Sequence, residues 1–261
     1  MQVIIASCAA EVATLGARYC LDLINSKQSP VLGLATGSTP VALYKELIEM
    51  YENNQLSFKQ THTFNLDEYL GLATSHPQSY RYFMNSQLFQ HIDIDLNNTY
   101  VPNGMSEPKT AASEYEAQIK HCGGIDLQIL GVGRNGHIGF NEPSSSLVSR
   151  TRVKTLAKQT LDDNKRFFNP GEFQPSLAIT MGIGTILEAD KILLLATGSA
   201  KANAIKELVE GPLSASCPAS ALQMHRDTIV IIDTQAAAAL EHQTYYQQVT
   251  TQTEQLDYNN D

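Results

Sequence analysis

The stretch IDLQILGVGRNGHIGFNEP, residues 125–143, joins a short apolar run to a loop rich in glycine. The run at 125–130 has the length and character of a buried strand, and the loop carries a histidine, His137, and a carboxylate, Glu142. Glycines let the backbone approach a ligand closely, and a histidine beside an acid is suited to proton transfer near neutral pH. The sequence therefore predicts a catalytic loop at the end of a strand.

The same loop matches the Gly-x-Gly-x-x-Gly pattern of dinucleotide-binding proteins, through Gly131, Gly133 and Gly136. That pattern binds pyrophosphate where a helix begins at its third glycine. Here Gly139 and the Asn-Glu-Pro sequence at 141–143 disfavour a helix. We therefore do not expect a nicotinamide cofactor.

Short apolar runs alternate with longer amphipathic stretches along most of the chain. The first pairs are 3–5 with 11–24, 31–35 with 40–51, and 61–66 with 79–89. This alternation predicts an α/β fold with a doubly wound, mainly parallel, Rossmann-like sheet and helices on both faces. We expect a single domain over 1–261, with ligands bound where loops leave the carboxyl ends of the strands.

Two segments depart from this alternation. Residues 155–176 contain Asp, Asn, Pro and Gly in close succession, which is typical of a mobile lid or of an ordinary surface excursion. Arg166, a cation inside this segment, favours the lid. Residues 243–261 are rich in Gln, Thr and Asn, and they predict a helix end that frays into a polar tail.

Composition limits the possible functions. The chain has 261 residues, 43% of them hydrophobic and 17% charged, which is typical of a compact globular enzyme without a membrane span. No basic region precedes the first apolar residues, so we expect no signal peptide and a cytoplasmic location. A net charge of −9 disfavours nucleic acid and membranes as partners. The four cysteines lack zinc-binding spacing, so we expect reduced thiols and no metal.

The tetrapeptide Ala-Thr-Gly-Ser occurs at 35–38 and at 196–199, each time between an apolar run and a helical pattern. Gly37 relieves crowding, Ser38 and Thr39 offer hydroxyl groups, and the next helix offers free N–H groups. The second copy adds Lys201. Helix N-capping by Ser38 or Ser199 explains either copy alone equally well, but two copies favour phosphate binding.

Asp67 belongs to FNLDEY at 64–69, where an acid pair follows the third apolar run. An isolated pair would be a helix cap or a surface group. Together with LGLATGSTP at 32–40, GRNGHIGFNEP at 133–143 and SRTRVKTL at 149–156, however, the motif strongly resembles the glucosamine-6-phosphate deaminase family, in order, over about 3–233. The resemblance implies conversion of glucosamine 6-phosphate and water to fructose 6-phosphate and ammonia, without metal or organic cofactor.

The resemblance also implies roles for individual residues. His137 would open the sugar ring, Glu142 would orient and charge-tune it, and Asp67 would remove the proton at C2. Asn135 stands where members of the family carry Asp or Asn, and it gives His137 a weaker electrostatic partner than Asp would. The implied phosphate ligands are Gly37, Ser38, Thr39, Arg166 and Lys201.

A regulatory site is implied as well, because hexameric members activated by N-acetylglucosamine 6-phosphate carry Arg-x-Lys and a serine at a subunit interface. The matching residues are Ser145, Arg152, Lys154 and the adjacent Thr155. Arg152 and Lys154 alternate with Val153 as on a strand, so their cations share one face. Without the resemblance, solvated or paired surface cations would be the preferred interpretation. The resemblance favours an allosteric homohexamer, with a monomer as the alternative.

Two other functions fit part of this pattern. A 6-phosphogluconolactonase is similar in fold and phosphate loops but hydrolyses an ester. A sugar-phosphate sensor would bind without turnover and would need neither Asp67 nor His137. The presence of Asp67 together with His137 and Glu142 suits proton abstraction beside an amine, and it favours the deaminase over both.

Overall fold

The structure, a computed structural model, describes residues 1–258, in which strands and helices alternate along most of the chain. The strands are β1 (Gln2–Ala6), β2 (Val31–Leu34), β3 (His62–Asn65), β4 (Asp67–Tyr69), β5 (Thr99–Tyr100), β6 (Leu127–Leu130), β7 (Arg152–Thr155), β8 (Leu177–Thr180), β9 (Lys191–Ala196) and β10 (Thr228–Asp233). The helices are α1 (Ala9–Ser26), α2 (Ser38–Glu52), α3 (Tyr80–Gln87), α4 (Pro108–His121), α5 (Lys158–Asn164), α6 (Ile183–Leu187), α7 (Ala202–Val209) and α8 (Gln243–Tyr258).

The larger sheet has the order β1-β10-β9-β6-β2-β3-β5, and its neighbouring strands are all parallel. Buried residues of β9 alternate between its faces: Leu193 and Leu195 pack with α1 and α2, whereas Leu194 packs with α4 and α7. Helices therefore cover both faces, and the predicted doubly wound parallel sheet is confirmed. The strands β9, β6, β2 and β3 are neighbours and parallel, so the loops that follow them meet at the carboxyl-terminal end of the sheet.

A smaller antiparallel sheet, in the order β4-β8-β7, was not predicted. The sequence placed Asp67 at the end of a strand of the parallel sheet, but β3 ends at Asn65 and Asp67 begins β4. Thr180 of β8 pairs with Asp67 on one side and with Arg152 on the other. The alternation at 152–154 indicated a strand there, but the pairing of β4 and β7 with β8 joins segments far apart in the chain and leaves no local signal.

The two irregular segments also contain more structure than expected. Residues 155–176 include α5 and a 3₁₀ turn at Lys165–Phe167. The predicted polar tail is the helix α8 as far as Tyr258, and residues 259–261 lie outside the described residues. Thr250 Oγ1 of α8 donates a hydrogen bond to the Val3 carbonyl of β1 at 3.3 Å. In the part of the chain that the structure describes, no helix is long and apolar enough to cross a membrane.

Glu68, the second acid of the pair, is buried at the N-terminus of α3. Its carboxylate accepts hydrogen bonds from the backbone N–H groups of Tyr69, Tyr80 and Arg81 at 2.8, 3.0 and 3.1 Å, and from the Ser79 hydroxyl at 2.8 Å. Burial raises the pKa of Glu68, while these four hydrogen bonds act in the opposite direction. Glu68 thus ties β4, and with it the adjacent Asp67, to α3.

Glu68→Gln would present an amide N–H₂ to groups that are themselves donors. We expect it to lower the free energy of unfolding by roughly 2 kcal/mol at pH 7, measured by urea denaturation. Glu107→Gln is the matched control, because Glu107 caps α4 through the Lys109 and Thr110 N–H groups at the exposed surface. We expect that variant to lose at most about 1 kcal/mol. Equal losses in the two variants would contradict the role given to Glu68.

Candidate active site

The loop after β6 turns back on itself instead of starting a helix. Gly133 N–H donates to the His137 carbonyl at 2.9 Å, and Gly136 N–H donates to the Gly133 carbonyl at 3.0 Å. A Cβ on Gly133 would lie 2.3–2.5 Å from ring atoms of His137, so the imidazole packs directly on this backbone. Residue 133 is therefore a glycine because any side chain there would clash with the imidazole of His137. No helix begins at Gly136, as the glycine and the Asn-Glu-Pro sequence that follow it predicted.

His137, Asn135 and Glu142 form one connected group. The Nδ1 atom of His137 lies 3.5 Å from Oε2 of Glu142, close enough for an ion pair but outside hydrogen-bonding geometry. Asn135 accepts from the His137 backbone N–H at 3.2 Å, and its amide donates to Glu142 Oε2 at 2.8 Å. Asn135 therefore acts on the imidazole ring through Glu142.

Glu142 is buried, and its other oxygen contacts α5. Oε1 accepts from the Thr160 hydroxyl at 2.5 Å and from the Ala157 N–H at 3.3 Å. Burial disfavours the ionised form, but interactions with His137, Thr160 and Asn135 outweigh it and lower the pKa of Glu142 to about 2. This carboxylate is ionised at neutral pH.

Asp67 is buried against the same loop. A Cβ on Gly139 would lie 3.3 Å from Asp67 Oδ2 and 3.0 Å from Thr180 Oγ1, and Gly139 has a φ of +54°. Burial, followed by the charge of Glu68, raises the pKa of Asp67 well above its usual range, although the Phe140 N–H opposes this. The site thus holds two acids whose pKa values are displaced in opposite directions, an arrangement found where acid and base roles are divided.

Two buried polar residues that fix the loop were not predicted. Thr180 Oγ1 accepts from the Phe140 N–H at 3.0 Å. The Asn141 amide donates to the carbonyls of Ile138 at 2.9 Å and Met181 at 2.8 Å. Thr180, a polar residue within an apolar stretch, was a signal. The contacts of Thr180 with Phe140 and of Asn141 with Met181 join β8 and the residue after it to the loop, and they were invisible without the smaller sheet.

The two Ala-Thr-Gly-Ser copies have the same local geometry. Gly37 and Gly198 occupy the N-cap positions with φ values of 102° and 86°, and Ser38 and Ser199 are the first residues of the helical turns that follow. Neither serine is the N-cap, so N-capping does not explain them. Ser38, Thr39 and Thr197 line one cavity of about 180 Å³, which places the two copies side by side.

The predicted cations also come together near this edge. Lys201 is half-buried, and burial lowers its pKa. Asp163 raises that pKa, whereas Arg134 and Arg166 lower it, so these charges lie within electrostatic range of Lys201. Arg134 and Asp163 were not among the predicted site residues. In the described residues, no three His, Cys, Asp or Glu side chains are close enough to hold a metal ion.

One face of α5 is docked on the site. Thr160, Asp163 and Asn164 share this face, because they are separated by three and four residues. Thr160 donates to Glu142, Asp163 lies 3.6 Å from Arg134, and Asn164 donates to the Tyr69 hydroxyl at 2.9 Å. The helical positions that contact the site are polar, which is why the sequence suggested irregular structure.

The four residues of the implied regulatory site divide into two pairs. Ser145 is buried and donates to the Glu142 carbonyl at 2.6 Å, and Arg152 donates to Asn141 Oδ1 at 2.8 Å. Both therefore contact the catalytic loop. Lys154 and Thr155 lie further along β7, where they pair with Ala178 and Leu177.

Comparison with known proteins agrees with this geometry. Residues 5–231 match the family described as glucosamine-6-phosphate isomerases/6-phosphogluconolactonase. A glucosamine-6-phosphate deaminase of Cellvibrio japonicus (strain Ueda107) is 60% identical over 257 residues, 98% of each chain. The glucosamine-6-phosphate deaminase of Hahella chejuensis (strain KCTC 2396) is 60% identical over 97% of each chain.

Solved structures give the same result. A monomeric glucosamine-6-phosphate deaminase has a TM-score of 0.89 and 44% identity, covering 92% of this chain and 100% of its own. A 6-phosphogluconolactonase from Leishmania guyanensis has a TM-score of 0.73, covers 92% of this chain and 98% of its own, and is 18% identical, so it shares the fold alone. By sequence over nearly its whole length and by fold, the chain belongs to the glucosamine-6-phosphate isomerase/6-phosphogluconolactonase family.

Proposed function

We propose that the chain converts glucosamine 6-phosphate and water to fructose 6-phosphate and ammonia. The observation that carries this proposal is the buried Asp67, with its raised pKa, packed against the loop of His137 and the ionised Glu142. Relatives that are glucosamine-6-phosphate deaminases, 60% identical over nearly the whole chain, support the same reaction. A lactonase needs no base for a carbon-bound proton, and a sensor needs neither group.

Ring opening is the first step of the proposed mechanism. The imidazole of His137 moves a proton from the anomeric hydroxyl to the ring oxygen, which breaks the bond between C1 and that oxygen. While the imidazole carries the additional proton, the negative charge of Glu142 at 3.5 Å stabilises it. Asn135 keeps Glu142 in place for this step through its hydrogen bond to Oε2.

Asp67 then acts on the open chain. Its carboxylate takes the C2 proton, and the electron pair moves toward C1 to give an enolamine. A proton returned to C1 converts the enolamine to an imine at C2, and water adds to that imine and releases ammonia. Burial makes Asp67 a stronger base than an exposed carboxylate, which suits removal of a proton from carbon.

Phosphate binding holds the substrate for these steps. The proposed ligands are Gly37, Ser38, Thr39, Arg166 and Lys201. We also propose that 1–261 is one domain in which 155–176 acts as a lid that excludes water when phosphate binds. A cytoplasmic location is part of the proposal and is consistent with the four free cysteines.

Ammonia release from glucosamine 6-phosphate by the purified protein tests this function, with 6-phosphogluconolactone as the comparison substrate. We expect ammonia and fructose 6-phosphate in equal amounts and no hydrolysis of the lactone above background. Lactone hydrolysis without ammonia would identify a lactonase. Binding of either compound without turnover would identify a sensor.

We further propose an allosteric homohexamer activated by N-acetylglucosamine 6-phosphate. Its support is that Ser145 and Arg152 are bonded to Glu142 and Asn141 of the catalytic loop, so a ligand at these residues would act on that loop directly. The monomeric relative at 44% identity favours the alternative, a monomer without activation.

Asp67→Asn tests the proposed base, since it keeps the size of the side chain and removes its basicity. We expect deuterium exchange at C2 of glucosamine 6-phosphate to fall at least about 100-fold, measured by NMR. Affinity for fructose 6-phosphate, measured by calorimetry, should stay within a few-fold of the unaltered protein. Exchange at a near-normal rate would remove Asp67 from the mechanism.

Lys201→Ala tests phosphate binding. We expect KM for glucosamine 6-phosphate to rise by one to three orders of magnitude, roughly 1.4 to 4 kcal/mol of lost binding. Lys206→Ala is the control, because Lys206 lies in α7, the helix that follows Lys201, and pairs with Glu241 at the surface. A parallel loss of affinity for unphosphorylated glucosamine would show that Lys201 does not act through phosphate.

Light scattering and activity curves decide the assembly. We expect a hexamer whose sigmoidal substrate dependence becomes hyperbolic with N-acetylglucosamine 6-phosphate, and loss of this activation in the double variant Arg152→Ala with Lys154→Ala. A monomer with hyperbolic kinetics, or activation that survives in the double variant, is the contrary result.

A further inference from the structure

Arg134 lies in the catalytic loop, and none of the predicted roles includes it. Its side chain is exposed, and Nη1 lies 3.6 Å from Oδ1 of Asp163 on α5. Both partners are largely open to solvent, with side-chain exposures of 54% and 42%, so the pair adds little to stability. The position of Arg134, rather than the energy of this ion pair, indicates the role of the residue.

This position is beside Lys201. β6 and β9 are neighbouring parallel strands, so the loop that carries Arg134 and the turn that carries Lys201 leave the same edge of the sheet. Asp163 raises and Arg134 lowers the pKa of Lys201, which agrees with this placement of the three charges at the same end of the sheet. An anion held by Lys201 at this edge would also be within electrostatic range of Arg134.

We propose that Arg134 is a further cation of the phosphate site. Without substrate, its guanidinium pairs with the carboxylate of Asp163, and the substrate's phosphate displaces that carboxylate when it binds. The identity of the phosphate ester rests on the proposed function. A guanidinium binds carboxylate and phosphate through the same planar fork of N–H groups, and a dianion competes well against one exposed carboxylate.

The phosphate can replace the carboxylate of Asp163 while α5 stays in place on the site. Thr160 and Asn164, on the same face as Asp163, keep their hydrogen bonds to Glu142 and Tyr69. Thr160 is buried, whereas Asp163 is at the edge of the contact. Displacement of Asp163 thus leaves the contacts that position the catalytic loop intact.

Two charge-neutralising variants separate this proposal from a structural ion pair. Arg134→Gln should weaken binding of inorganic phosphate and of fructose 6-phosphate about tenfold, or about 1.4 kcal/mol. Asp163→Asn should tighten binding of the same ligands two- to fivefold, because it removes the competing anion. Calorimetry measures both effects without turnover. In the background of Asp163→Asn, Arg134→Gln should weaken phosphate binding more strongly, about 20- to 50-fold, because no carboxylate then competes for the guanidinium.

Arg226→Gln and Asp190→Asn are the matched controls, since this pair is exposed and lies at the opposite, amino-terminal end of β9 and β10. Neither should change phosphate affinity more than twofold. Loss of affinity in both Arg134→Gln and Asp163→Asn, with no further loss in the double variant, would overturn the proposal and leave a brace between loop and helix. Ammonia release by the unaltered protein is scored separately, so failure of the function and failure of this site are distinguishable.

Discussion

The buried negative charge of Glu142 is the constraint on which the rest of the site depends. A carboxylate in this environment is stable only if nearby groups compensate its charge, and the compensation comes from separate segments. Asn135 and His137 supply it from the loop after β6, and Thr160 and Ala157 supply it from the start of α5. Because they share one ion, the catalytic loop and the proposed lid cannot be positioned independently.

The opposite environment of Asp67 follows from the same architecture. The small sheet places Asp67 beside Thr180, and Thr180 holds the Phe140 N–H, so the glycine-containing end of the catalytic loop covers the carboxylate. Few donors reach Asp67 there, whereas Glu142 has several. Burial and the charge of Glu68 raise the pKa of Asp67, whereas interactions with His137, Thr160 and Asn135 outweigh burial and lower the pKa of Glu142.

Much of this arrangement could be predicted from the sequence, because long apolar runs and helical periods are local signals. These signals predicted the parallel sheet, and they predicted that the loops of Gly37, Asp67 and His137 leave it at the same, carboxyl-terminal end. The smaller sheet was missed because the pairing of β4 and β7 with β8 leaves no local signal, although the alternation at 152–154 indicated a strand. The different roles of Asp67, which faces the catalytic loop, and Glu68, which caps α3, were missed too. Only the strand β4 shows that these adjacent acids point in opposite directions. The α5 face was missed because Thr160, Asp163 and Asn164 are polar on the side that is docked.

The most direct test of the central claim is the pH dependence of stability of the unaltered protein compared with Glu142→Gln. The pKa of Glu142 is lowered on folding, so its stabilising contribution is complete above the unfolded value and is lost as the pH falls toward about 2. We expect the unaltered protein to be more stable by about 3 kcal/mol at pH 7 in urea denaturation. We expect roughly half of that difference or less at pH 3. No difference at pH 7, or a difference that stays constant down to pH 3, would contradict the account.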